Sequence, residues 1–229
     1  MLGILLILFE RHTAHPILDI PLIMRGDVLS LNLAQMAVNV CMGCAMIYVP
    51  SFAQMILHMN VQDSGTILTP MSVSLMAGAI VGGVLLARYG AKILLLLGCF
   101  AASGAVFYLA GYVVDSTTLA ISLAGLGVGL GLGMGAFQLI MLSYMPESEK
   151  GTGTGILNTF KNVGSTVGSV IGGFVLADAT RQAITFDQAF HEVFWIGFAM
   201  AAVSVIFVIC LIVLSRRKTE KPVLLAKAQ

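Results

Sequence analysis

The residues of this chain that could do chemistry are few, and most of them are polar side chains inside long apolar stretches. Lys161 lies about two helical turns into such a stretch, where a charged group that meets lipid is costly. Asn158 and Asn162 share a helical stripe with it. We therefore expect Lys161 to face protein or water, where it lines a cavity or pairs across the protein. The alternative is that its long side chain snorkels to the membrane surface.

A second polar face lies in the first apolar stretch, where Asn32, Gln35 and Asn39 fall within about 60° of one another on a helix. Amide side chains in such a position either line a cavity or form hydrogen bonds that hold helices together. Gln138 is a weaker candidate of the same kind. The substrate-cavity candidates are therefore Asn32, Gln35, Asn39, Gln138, Asn158, Lys161 and Asn162.

Catalytic and metal chemistry find no support in the sequence. No nucleophile–base pair or metal triad can be recognised, so we expect no enzyme activity, no metal and no cofactor. Cys41 and Cys44 form a C-x-x-C pair on one helix face, which apolar packing explains because no further ligands lie nearby. Asp and Glu are absent from the depth of every apolar stretch, so a proton carrier would have to lie elsewhere. The basic residues are dispersed, which argues against a nucleic-acid partner.

Six long apolar stretches position these residues. The chain is 58% hydrophobic and 10% charged, and its apolar runs are continuous, which excludes a soluble domain and argues against a β-barrel. Each stretch reaches or exceeds the roughly 20 residues that a helix needs to cross a bilayer. The predicted spans are 28–57, 64–87, 92–113, 118–142, 153–177 and 190–214. The predicted fold is an all-α integral membrane protein with six transmembrane helices.

The charges of the connecting segments predict the orientation. If successive spans alternate in direction, one side collects nearly all Lys and Arg, whereas the other has Arg181 and several carboxylates. Because basic loops stay in the cytoplasm, we expect a multi-pass protein of the cell membrane with both termini cytoplasmic.

The spans divide the chain into three regions. Residues 1–27 are interpreted as the end of a preceding helix and a cytoplasmic linker, 28–214 as the six-helix unit, and 215–229 as a basic cytoplasmic tail. The apolar segment 1–9 is too short to span a membrane, so we interpret it as the end of a helix whose beginning is missing. The chain would then be part of a larger protein.

Glycine patterns predict close helix packing. One helix-packing stripe consists of Gly164, Gly168 and Gly172. Its spacing of four residues lets a neighbouring helix approach closely. In the span 118–142, glycine occupies every second position from Gly125 to Gly135, which places small surfaces on opposite faces of that helix.

The segment between the second and third spans resembles a family motif. From Gly83 to Lys92 it reads GVLLARYGAK, which is similar to the G-x-L-a-D-R-x-G-R-K loop of the major facilitator superfamily. It departs from that motif at Ala87, a loss typical of the second-half copy. The resemblance implies that Gly83 allows close helix contact and Gly90 a tight turn. Arg88 and Lys92 would bind helix ends and acidic groups of a partner half. The alternative is an ordinary basic turn.

A second resemblance is more specific. Its pattern consists of Pro50, Gln54, Ser64, Gly65, Thr69 and Pro70. A proline and a glutamine before a short loop, then a glycine and a proline early in the next helix, resemble the fourteen-span drug:proton antiporters of the same superfamily (the EmrB/QacA type). The linker and the loop near residue 150 are similar to that family too. The resemblance covers nearly the whole chain, but only the family's C-terminal portion.

This resemblance implies one half of a major facilitator fold, built as a 3+3 inverted repeat. It also implies proton-coupled export of lipophilic or cationic drugs, or similar small molecules, by alternating access. The implied partners are the lipid bilayer, a small-molecule substrate, protons and an N-terminal transporter half. Two alternatives stay open: an exporter of a specific metabolite on the same scaffold, and a truncated fragment or partner subunit without transport of its own.

Overall fold

The computed structural model describes residues 25–113, 115–182 and 185–226, which form α-helices joined by short connections. The helices are α1 (Gly26–Met55), α2 (Val61–Thr66), α3 (Thr69–Tyr89), α4 (Ala91–Tyr112), α5 (Ser116–Tyr144), α6 (Lys150–Gln182) and α7 (Phe186–Ala226). A 3₁₀ turn, Glu147–Glu149, precedes α6. The predicted helix end and nearly all of the predicted linker lie outside the described residues.

The predicted all-helical membrane architecture is confirmed. In the described part of the chain, five segments are long and apolar enough to cross a membrane: α1, the α2–α3 segment, α4, α5 and the first 30 residues of α7. At 33 residues α6 is also long enough, but its many glycines and polar side chains make it less apolar than the others. A crossing by α6 therefore stays a prediction.

Several helix ends differ from the predicted boundaries: α7, for example, continues from the predicted span 190–214 into the predicted tail and ends at Ala226. Two further differences affect how the helices are joined. The predicted span 64–87 is divided, because Pro70 sits in the first turn of α3, where a missing N–H is tolerated. The side chain of Gln54 donates a hydrogen bond to the Ser64 hydroxyl (2.8 Å) and so ties the end of α1 to α2. Asp27, assigned to the linker by the sequence, instead lies in the first turn of α1 and is only 3% exposed.

The six long helices of the described chain form two groups of three along the sequence, and the first helix of each group packs mainly on helices of the other group, an arrangement that we call exchanged packing. α1 packs mainly against α6 and α7, whereas α5 packs mainly against α3 and α4. The third helices of the two groups, α4 and α7, also contact each other. The first long helix of each group of three (α1, α3, α4 and α5, α6, α7) therefore packs on the other two helices of the opposite group.

The interface between α1 and α6 depends on glycine. A methyl group on Gly164 or Gly168 would overlap the α1 backbone, and one on Gly43 would overlap the α6 backbone. Farther along, the ring of Tyr48 lies against Gly172. The predicted glycine stripe thus faces α1, and the two helices meet backbone to backbone.

Side chains of α1 also bond the backbone of α6. The Tyr48 hydroxyl donates to the carbonyl of Ser169 (2.5 Å), and the Cys44 thiol lies 3.3 Å from the carbonyl of Gly168. Cys44 therefore serves the helix contact, which is the packing role expected of the C-x-x-C pair. Interhelical bonds of this kind stabilise a bundle only modestly each, by about 0.6 kcal/mol on average.

Glycine likewise allows α5 to pack on both sides. Gly127 and Gly131 lie against the α3 backbone, whereas Gly129 lies against the α4 backbone at Ala102. The prediction that alternate glycines give α5 two close-packing faces is confirmed. On α3 the facing small residues are Gly78 and Gly82.

Aromatic side chains pack the end of α1 against the start of α7. The ring of Phe52 packs edge to face on Phe190 and Phe194 of α7, at centroid distances of 5.6 and 5.8 Å. Nδ1 of His191 lies 2.7 Å from the carbonyl oxygen of Ala110, which joins α7 to α4. These contacts join the end of α1 and the end of α4 to the first turns of α7.

Candidate functional site

A cavity of about 230 Å³ opens between α1, α3, α4, α5 and α6. It is lined by Gln35, Val38, Asn39, Met42, Leu75, Gly98, Cys99, Gly129, Leu130, Gly133, Met134, Phe137 and Lys161. Its wall is predominantly apolar, with the polar groups confined to α1 and α6. A mostly apolar wall with a few polar groups is typical of small-molecule pockets.

The cavity owes its space to the close-packed glycines. Gly98, Gly129 and Gly133 present backbone instead of side chains to it. A methyl group added to Gly133 would meet the Phe137 ring at 3.7 Å. The same residues that let α4 and α5 approach each other therefore leave the volume beside them open.

Three predicted polar residues come together at this cavity: Gln35, Asn39 and Lys161. The side-chain nitrogen of Asn39 donates to the backbone carbonyl of Gln35 (2.8 Å), one turn earlier on α1. Gln35 is 8% exposed, and its side-chain oxygen has no hydrogen-bond partner in the described part of the chain. Lys161 is half-buried and forms no ion pair with any described residue. The side-chain oxygen of Gln35 and the ammonium group of Lys161 are therefore the polar groups at this site that a ligand could engage.

The other predicted cavity residues lie elsewhere. Asn32 is fully buried but outside the cavity, and neither atom of its amide has a hydrogen-bond partner among the described residues. Asn158, Asn162 and Gln138 are exposed and do not line the cavity. Adjacent residues on a helix point about 100° apart, so Asn162 faces away from the side that Lys161 occupies. The single polar stripe predicted for α6 is therefore divided between the cavity and the outer surface.

Several cavity residues carried no signal in the sequence. Met42, Met134 and Phe137 supply much of the apolar wall, but they resemble the other apolar residues of their helices. Met42 is the exception, because the sequence places it on the same face as Gln35 and Asn39, one turn later. Asp27 was also missed; it lies outside this cavity, with an oxygen 3.8 Å from Nε of Arg25.

The loop motif forms the turn between α3 and α4. Gly90 has a φ of +82°, a conformation that favours glycine, so the predicted tight turn is confirmed. The ammonium group of Lys92 donates to the hydroxyl of Ser215 on α7, and the guanidinium of Arg88 lies 5.7 Å from the centre of the next tyrosine ring. Gly83 has open space around it, with no atom within 4 Å of where a Cβ would lie. Gly83 therefore makes no close contact within the described chain, and its expected contact with a helix stays a prediction.

The sequence matches known proteins over most of its length. A family model described as the Major Facilitator Superfamily matches residues 29–228. The chain is 30% identical over 181 residues to the Multidrug transporter protein MdtP of Bacillus subtilis (strain 168), a match that covers 78% of this chain and 34% of that protein. It is 26% identical over 200 residues to the Uncharacterized MFS-type transporter YvkA of the same organism, over 86% of this chain and 42% of that protein. The chain therefore spans less than half the length of either relative.

Proposed function

The chain belongs to the major facilitator superfamily, and from that premise we propose that its six long helices form one half of a membrane transporter. The exchanged packing of the two groups of three helices supports a 3+3 inverted repeat within this half. The length of the two relatives supports a second half as its partner. We propose the EmrB/QacA type for the whole protein, with the pattern from Pro50 to Pro70 as support.

The proposed function is export of lipophilic small molecules by alternating access, and the observation that carries it is the cavity. Its wall of Met, Leu and Phe side chains can adapt to differently shaped apolar ligands. Gln35, Asn39 and Lys161 would orient a polar group of the substrate. One relative is named as a multidrug transporter, which favours drug-like substrates over a single metabolite.

Proton coupling and orientation are further parts of the proposal. The described residues that line the cavity include no Asp or Glu, so the proton carrier would lie in another part of the transporter. We place the protein in the cell membrane with the Arg88–Lys92 turn and both termini in the cytoplasm, because basic loops are retained there.

An efflux measurement tests the proposed function. Cells that express the full polypeptide encoded by its gene are loaded with the neutral probe 1-N-phenylnaphthylamine. Met134→Trp puts an indole into the cavity, whereas the matched control Ile206→Trp puts it on an exposed face of α7. We expect the parent and the control to export the probe, and Met134→Trp to export it at least about tenfold more slowly.

Two results would count against this function. If cells with the parent protein retain the probe as well as cells without it, the chain does not contribute to export, and the fragment or subunit alternative replaces it. If Met134→Trp exports as fast as Ile206→Trp, although both variants reach the membrane in equal amounts, the transport pathway does not pass through this cavity.

A further inference from the structure

The charge at the described cavity wall is positive. Lys161 is the only charged residue among the described residues that line it. The described ion pairs lie elsewhere in the chain, and none of them includes Lys161. An ammonium group beside an apolar wall, away from any carboxylate, attracts anions and repels cations more strongly than it would in open water.

A second observation at the same place also indicates a ligand. Gln35 is more than nine-tenths buried, lines the cavity, and has a side-chain oxygen without a hydrogen-bond partner in the described structure. A buried polar atom without a partner is destabilising, so a ligand that satisfies it gains that energy on binding. The unpartnered atom is an acceptor, so it needs a hydrogen-bond donor on the ligand, such as a hydroxyl or an N–H group next to the anionic group.

The apolar part of the cavity wall and the cavity volume indicate the character and size of the ligand's apolar portion. Met42 and Met134 offer thioether surface to the cavity, and Phe137 offers aromatic surface. At about 230 Å³ the cavity is smaller than the roughly 300–1,000 Å³ of drug-sized pockets, so it accommodates one or two rings instead of a large drug.

We propose that this half binds amphipathic organic acids: Lys161 holds the anionic group, Gln35 bonds its polar neighbour, and the aromatic or aliphatic body packs on the apolar wall. The proposal rests on the proposed transport function and narrows its substrate class from drugs in general to organic anions. A lipophilic cation is the opposite substrate class, and it would have to place its charge beside Lys161 with no carboxylate among the described residues that line the cavity.

A matched pair of ligands tests the charge preference. The full polypeptide is placed in lipid nanodiscs and equilibrated with 2-naphthoate or with 2-naphthylmethylammonium, which share a ring system and carry opposite charges. Empty nanodiscs give the background from lipid partitioning. We expect naphthoate to bind at least about tenfold more tightly than the ammonium compound.

Three variants assign that preference to one side chain. Lys161→Gln should weaken naphthoate binding at least about tenfold, whereas Lys161→Arg, which keeps the charge, should change it by less than about threefold. Lys150→Gln removes a lysine from the same helix, outside the cavity, and should leave binding unchanged. Size-exclusion elution of each variant verifies that it is folded, and Lys161→Arg still tests the role of the charge if Lys161→Gln is unstable.

Several results would overturn the inference. They are tighter binding of the ammonium compound, equal naphthoate binding by Lys161→Gln and the parent, and no binding of naphthoate at all. Efflux of the neutral probe separates this failure from failure of the function. If efflux persists while the anion preference is absent, only the substrate class is wrong; if efflux is absent too, the transport proposal fails.

Discussion

At the level of single residues, the contact between α1 and α6 is sensitive to one hydroxyl group. Tyr48 lies with its ring against Gly172 and donates its hydroxyl to the Ser169 carbonyl at 2.5 Å. The ring fills the gap that the glycine leaves, and the hydrogen bond fixes the position of the ring. A phenylalanine at this position would keep the packing and remove only the bond.

Tyr48→Phe should therefore destabilise the protein by about 0.5–1.5 kcal/mol, the net value of one hydrogen bond. In a chain of this size that corresponds to a fall in Tm of a few degrees, measured by thermal unfolding in detergent. The control is Tyr108→Phe, because no hydrogen bond of the Tyr108 hydroxyl occurs within the described residues and its ring is more than one-third exposed. An equal loss of stability in the two variants would contradict a role for the Tyr48 bond.

A single functional residue can be predicted from the sequence when its polarity differs from that of the neighbouring residues in its helix. Gln35, Asn39 and Lys161 could be recognised because each is polar inside an apolar helix, and all three line the cavity. Asn32 has the same contrast but lies outside the cavity, since its direction depends on which neighbours α1 acquires. Phe137 lines the cavity without contrast, so only the packed structure reveals it.

At the level of elements, α6 differs from the other long helices. It is the least apolar, and its glycine face is pressed against α1 while Asn158 and Asn162 remain exposed. A helix of this composition gains little from contact with lipid and depends on close contact with protein. We therefore expect the stability of α6 in the bundle to depend on its contact with α1.

A pair of glycine substitutions on α6 tests this dependence. Gly168→Leu forces a side chain into the α1 backbone at Val40, so we expect a loss of about 3 kcal/mol or more. Gly155→Leu is the matched control, because nothing lies within 4 Å of where its Cβ would be. The gain in helix propensity from Gly to Leu is the same at both sites and cancels in the comparison.

Thermal unfolding followed by size-exclusion elution measures the difference. The expected order of stability is parent close to Gly155→Leu, with Gly168→Leu well below both. Equal stability of the two leucine variants would mean that the Gly168 face of α6 does not pack on α1 in the folded protein.

The positions of the helices could be predicted more reliably than the neighbours that each side of a helix contacts. The apolar runs are long and continuous, so the predicted spans agree with the long helices apart from shifts at their ends and the division at Pro70. The two-sided packing of α5 also follows from its alternate glycines. Which face of α6 meets α1 could be predicted from its glycine stripe, whereas the exposure of Asn158 could not, because polarity alone does not distinguish a cavity from an outer surface.

At the level of the whole molecule, the cavity depends on both groups of three helices. Gln35 and Asn39 come from α1 in the first group, and Lys161 comes from α6 in the second. The exchanged packing places α1 beside α6 and α5 beside α3 and α4, so the polar and apolar walls meet only when the whole bundle is folded. Sequence separation between these walls explains why the cavity itself could not be predicted, although several of its residues could.

The most direct test of the central claim is transport by the purified full polypeptide in liposomes. A proton gradient is imposed, and the rate at which 1-N-phenylnaphthylamine leaves the membrane is followed by its fluorescence. We predict a rate above that of protein-free liposomes, lowered at least about tenfold by Met134→Trp and unchanged by Ile206→Trp. A rate equal to that of protein-free liposomes, from protein that is folded and correctly inserted, would contradict the claim that this helix bundle forms part of an export pathway.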